Sequence, residues 1–272
     1  MYSSSVVPAM AHTGLVTTSG GIGRRTTAQV AGTAGVPFVG SNPTSSIMAI
    51  DFDKRQFLHF KKSPEAPLLM SGSVLALDLS TKTGWAAIGY NKTLNEYWCE
   101  AGRVTAPAVD KSYPHDFLDR ATRIAESVYT LSVQYLLDAI IIEETNGSKS
   151  RYAQKMLEFI HCSVLNRFRF DTNIPIIYIN SSDWRKVMGI QLTKEQKKQN
   201  QTLSRKLREG KTKKEIGIRG KITKKHLALN YVNSLFEEEF KVKDNDVAEA
   251  ICLGLAYGKD ITKHGFRYCD GK

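Results

Sequence analysis

At 272 residues the chain can hold one domain of about 200 residues and a tail. Its 42% hydrophobic and 24% charged residues are ordinary for a globular protein, while a formal charge of +11 points to a polyanionic partner. No apolar run approaches the roughly 18 residues that cross a bilayer, and the four cysteines (Cys99, Cys162, Cys252 and Cys269) form no Cys-x-x-Cys pair. Membrane spanning, a zinc ribbon and a disulfide framework are therefore excluded, and a reducing, intracellular setting is expected.

Residues 1–50 contain no Asp or Glu and only Arg24 and Arg25 as charges, amid Ser, Thr, Gly and Ala, which predicts disorder. Acid-poor, hydroxyl-rich leaders occur in organelle transit peptides, and bland extensions have the same composition. With Pro64 and Pro67 punctuating a linker, residues 1–70 are read as leader and linker, and residues 71–260 as the folded domain, followed by a tail at 261–272.

Residues 73–79 (SVLALDL) form a β-rich run ending in an acid, and residues 85–90 and 97–105 read as two further strands of an antiparallel meander. Phe117, Leu118, Ala121, Ile124, Ala125, Val128, Leu131, Tyr135 and Leu136 recur at helical spacing behind Pro114. Residues 139–142 are an unbroken apolar run, as in a strand buried on both faces. Tyr152, Met156, Phe159, Ile160 and Phe168 mark a second helix, and residues 174–179 a fifth strand. The order βββαβαβ is that of the ribonuclease H-like core: an α/β fold with a mixed five-stranded sheet flanked by helices. His161 beside Cys162 is no ligand pair, because neighbours on a helix point about 100° apart.

Beyond the fifth strand, Ser182 or Asp183 can cap a short helix carrying Trp184, Val187 and Met188. A basic insertion at 191–222 follows. Between residues 191 and 225 stand thirteen basic residues, Lys194, Lys197, Lys198, Arg205, Lys206, Arg208, Lys211, Lys213, Lys214, Arg219, Lys221, Lys224 and Lys225, against three acidic ones. Nearly all the net charge sits here, which suits a phosphate-binding surface and also a solvated loop. The last helices are expected at about 223–238 and 245–257.

Three acidic signals are each attached to an apolar element. Asp78 ends the first strand, where it could serve a cation or close the following turn. Glu143 and Glu144 end the buried strand. Asp246 and Glu249, three apart at the head of an apolar helix, share one face, as metal ligands or as a capping box. Phosphodiester hydrolysis needs an activated water and charge neutralisation on the leaving oxygen, which two Mg²⁺ ions held by carboxylates supply.

The order strand-Asp-x-Ser-(x)3-Gly, then Ile-Ile-Glu, then Asp-x-x-Glu-Ala opening a helix resembles the RuvC-type Holliday junction resolvases over residues 71–258. The resemblance extends to bacteriophage versions, through WRKVMGI and DNDVAEAICLGLAYG. The resemblance implies a metal-binding tetrad of Asp78, Glu143, Asp246 and Glu249, and an active-site lysine at Lys225. It further implies two Mg²⁺ ions with Mn²⁺ as substitute, branched DNA as partner, a homodimer, and a bacterial cytoplasm for a phage-encoded protein. Periodicity cannot choose between Glu143 and Glu144; the family pattern, with its acid directly after the apolar pair, selects Glu143. The chain departs from the family at Ser80, where Gly is frequent, and at Glu249, where Asp is usual. Rival readings are a nuclease of the same fold acting on flaps, forks or hybrids, an actin-like ATPase, and a non-catalytic DNA-binding protein. The ATPase reading lacks a second glycine-rich phosphate loop.

Overall fold

The computed structural model describes residues 52–61, 72–91, 93, 96–144, 150–171, 173–210 and 220–259. The chain divides into two units, Met1–Ser46 and Ile47–Lys272, and the described residues belong to the second. The leader expected over 1–50 and the tail over 261–272 lie outside them.

Strands β1 (Phe52–Leu58), β2 (Gly72–Asp78), β3 (Lys82–Asn91) and β4 (Glu96–Thr105) precede helix α1 (His115–Ser132). Then come β5 (Ala139–Glu143), α2 (Arg151–Asp171), β6 (Ile176–Ile179), α3 (Ser181–Val187) and α4 (Lys194–Arg208). Helices α5 (Lys224–Leu235) and α6 (Asn245–Gly258) complete the described residues. One sheet runs in the order β1-β4-β3-β2-β5-β6. β2, β3 and β4 are the antiparallel meander, β5 lies parallel to β2, and β6 parallel to β5. Strands β2 to β6 make the mixed five-stranded sheet of a ribonuclease H-like fold, with helices on both faces.

The sheet has six strands, not five. β1 lies within the stretch read as leader and linker and pairs antiparallel with the outer edge of β4. An edge strand is bonded on one side only and tolerates charge, so FDKRQFL shows no apolar run. Its Leu58 is buried, and Arg55 pairs with Glu100 of β4. The first helix also stops earlier than its apolar spacing suggested, at Ser132, which leaves Leu136 almost wholly exposed.

The central strands are apolar on both faces, and alternation decides what each residue meets. Val74 and Ala76 of β2 and Ile141 of β5 belong to the core shared with α3, α5 and α6. Leu75, Leu77, Ile140 and Ile142 belong to the opposite core, under α1 and α2. Each fully buried Ile here contributes roughly 1.5–3 kcal/mol through the area it removes from water. His161 of α2 is buried and its Nδ1 lies 3.1 Å from the Tyr178 hydroxyl, while Cys162 is exposed, so the two side chains part as helical spacing requires.

Helix α6 is buried continuously from Val247 to Ala256, the mark of a central helix apolar all round. It lies close on the sheet because a glycine stands on each side of the contact, Gly84 on β3 and Gly254 on the helix. A Cβ on Gly84 would stand 2.1 Å from the Asp246 carbonyl oxygen, and one on Gly254 would stand 2.8 Å from Ile88 Cδ1.

Candidate metal centre and nucleic-acid surface

Strand parity places the acids. Asp78 follows Val74 and Ala76 by steps of two, and Glu143 follows Ile141, so both carboxylates point to the face covered by α6. Glu144 is exposed; its backbone N–H bonds the Ile179 carbonyl, and its carboxylate accepts from Asn180 Nδ2 at 3.1 Å. Gly84, the register partner of Asp78 on β3, leaves space for the first turn of α6, which carries Asp246 and Glu249 over the end of β2.

One oxygen each from Asp78, Asp246 and Glu249 lies within 4.8 Å of the others. Glu143 stands beside this group and loads its electrostatics. Burial, together with the charges of Glu143 and Glu249, pushes the Asp78 carboxyl well above the usual carboxylate range. Burial also raises Glu143, against the opposing pull of Arg185. Glu249 is 2% exposed, and a carboxylate so deep in an apolar helix needs partners. It has two: Arg185 Nη2 donates to Oε1, and Lys225 Nζ lies 2.9 Å from Oε2. The same Lys225 Nζ donates to Asp246 Oδ1 at 3.0 Å. Burial works against its ammonium charge, but Glu249, Asp78 and Asp246 outweigh that and raise its pKa.

The two bland alternatives for these acids are not what the structure holds. The turn after β2 is closed by Ser80 and Thr83, with the Ser80 N–H donating to Thr83 Oγ1 and Thr83 Oγ1 to the Ser80 carbonyl. Helix α6 has no side-chain cap hydrogen bond, and Asp246 and Glu249 turn to cations instead of closing a capping box. The donor set is all carboxylate oxygen, the kind hard divalent cations take, and the like-charge crowding that adds to burial in raising Asp78 is what such a cation relieves.

Two residues of α3 complete the arrangement and were not singled out by sequence reasoning as site residues. The α3 cap is Asn180, whose side chain accepts from the Ser182 N–H, in place of the expected Ser182 or Asp183. Buried Trp184 donates its Nε1–H to Glu143 Oε2 at 2.9 Å, and Arg185 Nη1 lies 3.7 Å from Glu143 Oε1. The one sequence signal was the WRKVMGI stretch itself.

The basic insertion is helical over Lys194–Arg208, capped by a box in which Thr193 and Gln196 serve each other's backbone. At 100° per residue, Lys194, Lys197, Lys198, Arg205 and Arg208 fall within an arc of about 100°, all exposed, opposite buried Leu203. Lys206 lies off this stripe and is half-buried. Asn200 ties α4 to the chain before α5, exchanging two hydrogen bonds of 2.7 and 2.9 Å with the backbone of Ile222. The stripe is thereby anchored three residues from Lys225. Lys221 and Lys224 are exposed beside it. Lys211, Lys213, Lys214 and Arg219 lie outside the described residues.

No family model and no curated protein sequence matches the chain. Similar solved structures include Thermus thermophilus RuvC, 13% identical with a TM-score of 0.48 over 72% of this chain and 99% of that one. T. thermophilus RuvC in complex with Holliday junction substrate is 10% identical, with a TM-score of 0.46 and the same coverage. The yeast mitochondrial Holliday junction resolvase Ydc2 is 13% identical, with a TM-score of 0.38 over 74% of this chain and 86% of that one. Among the described residues no helix is long and apolar enough to cross a membrane.

Proposed function

We propose that this chain is a Mg²⁺-dependent endonuclease, with Mn²⁺ able to substitute, that hydrolyses phosphodiester bonds in opposed strands of four-way DNA junctions. The observation that carries the reading is the convergence of Asp78, Asp246 and Glu249 around Lys225, with Glu143 alongside. In this reading the four carboxylates hold two cations per site, which supply an activated water and charge neutralisation at the leaving oxygen. Lys225, kept protonated by its carboxylate neighbours, meets negative charge at the scissile phosphate. Gly84 and Trp184 hold Asp246 and Glu143 in place. The stripe on α4, with Lys221 and Lys224, contacts backbone phosphates and positions DNA without reading its sequence.

Junctions as the substrate, and a homodimer that places two such sites on opposed strands, follow from the motif order that resembles RuvC-type resolvases. The test is cleavage of a mobile four-way junction, a linear duplex, a flap and an RNA–DNA hybrid, each with and without Mg²⁺. Junction cutting in opposed strands that needs Mg²⁺ is expected. Preferential cutting of flaps or hybrids would move the substrate to a related nuclease class, and junction binding with no cleavage in either cation would leave a binding protein.

A further inference from the structure

Glu249 is held by two cations of different character. Lys225, whose side chain is 49% exposed, lies on the Oε2 side together with Asp246. Arg185, whose side chain is 10% exposed, takes Oε1. The lysine faces solvent and can swing aside when a cation enters. The arginine cannot: its guanidinium carbon lies 4.2 Å from the centre of the Trp184 ring, and its Nη1 donates to the Ser181 carbonyl at 3.0 Å. Its Nε is buried and finds no acceptor among the described residues, so the fold accepts a cost to keep the group there. Trp184, next in sequence, likewise occupies Oε2 of Glu143.

We propose that Arg185 is a positioning residue that makes Glu249 a single-oxygen ligand and so biases the centre towards small octahedral divalent cations over larger ones. The inference rests on the metal-centre reading above. Mg²⁺ demands octahedral oxygens at about 2.1 Å and suits one oxygen per carboxylate, whereas Ca²⁺ takes up to about eight oxygens and readily uses both from one carboxylate. With Oε1 engaged by a buried guanidinium, Glu249 has only Oε2 to offer.

The charge of Arg185 repels any divalent cation alike, so its loss changes the affinities for Mg²⁺ and Ca²⁺ by the same factor. The ratio of the two affinities therefore isolates ligand geometry from charge and from general loosening. Full-length protein without DNA is titrated calorimetrically with Mn²⁺, and Mg²⁺ and Ca²⁺ are then measured by displacement of Mn²⁺. Arg185→Met, which keeps an unbranched stem but neither charge nor donors, should shift the ratio towards Ca²⁺ by about tenfold as Oε1 becomes available.

Arg185→Lys keeps a buried charge for folding, but its ammonium stops about one bond short of Nη2; a shift of about threefold in the same direction is expected. An unchanged ratio in whichever variant melts cooperatively, with both affinities falling in parallel, overturns the proposal and leaves Arg185 as a structural ion pair. A wild-type protein that binds none of the three cations would instead overturn the metal-centre reading itself.

Discussion

Gly84 and Asp246 approach so closely that no side chain fits between them, a Cβ on Gly84 lying 2.1 Å from the Asp246 carbonyl oxygen and 2.7 Å from the Val247 nitrogen. Both neighbours are backbone and cannot rotate away. Gly84→Ala must therefore lift the first turn of α6 off β3, at about 1–3 kcal/mol in stability, and carry Asp246 away from Asp78. Gly254→Ala is the control, because its Cβ would press mainly on the Ile88 side chain, away from the acids. Thermal melting should fall in both variants, while metal-dependent cleavage should fall at least about tenfold more in Gly84→Ala, as displacement of a metal ligand predicts.

Asp78 carries a stability cost that follows from its surroundings. Its carboxyl titrates well above the ordinary range through burial and the charges of Glu143 and Glu249. The folded state then holds a proton that the unfolded state releases, so this group favours folding as pH falls and opposes it above the usual carboxylate pKa. Asp78→Asn removes that opposition: in metal-free buffer at neutral pH the variant should melt a few degrees higher than the wild type. Added Mg²⁺ should raise the wild-type melting temperature and leave the variant unmoved. Cleavage should be lost with junction binding nearly intact. A variant less stable than the wild type in metal-free buffer would show that Asp78 is held by contacts and not crowded by charge.

If the exposed stripe on α4 binds phosphates, as proposed, salt reports it. Changing Lys194, Lys197, Lys198 and Arg205 to Gln should flatten the plot of log affinity for a junction against log salt by about 3 to 4 units, near one for each contact. Changes at Lys206, off the stripe, should alter the slope less. An unchanged slope in the fourfold variant would make the stripe a solvated face.

What was legible in the sequence is what local pattern dictates. β2 and β5 announce themselves because central strands apolar on both faces read as unbroken runs, β3, β4 and β6 because they are rich in β-branched and aromatic residues, and α1 and α2 because one side of each is apolar. β1 was hidden by Asp53, Lys54 and Arg55, charges that an edge strand accommodates. Helix α4 was hidden by its polarity, although Thr193 followed three residues later by Gln196 is the sequence form of the capping box it uses. The acids were legible because each ends or begins an apolar element. Trp184 and Arg185 were not, because their partners Glu143 and Glu249 stand 41 and 64 residues away, and only the packing of α3 against the sheet and α6 brings them together.

The choice between Glu143 and Glu144 tests the account most directly, since the strand's alternation sends the two side chains to different surroundings. Glu143 faces the side of Asp78 and is held by Trp184, whereas Glu144 is exposed and bonded to Asn180. The measurement is single-turnover cleavage of a four-way junction in Mg²⁺ by Glu143→Gln and Glu144→Gln. Glu143→Gln should be slower by a factor of at least about 100, the cost of losing a metal-ligand charge, and Glu144→Gln should stay close to the wild type. A slow Glu144 variant beside an active Glu143 variant would contradict both the register of β5 and the metal centre built on it.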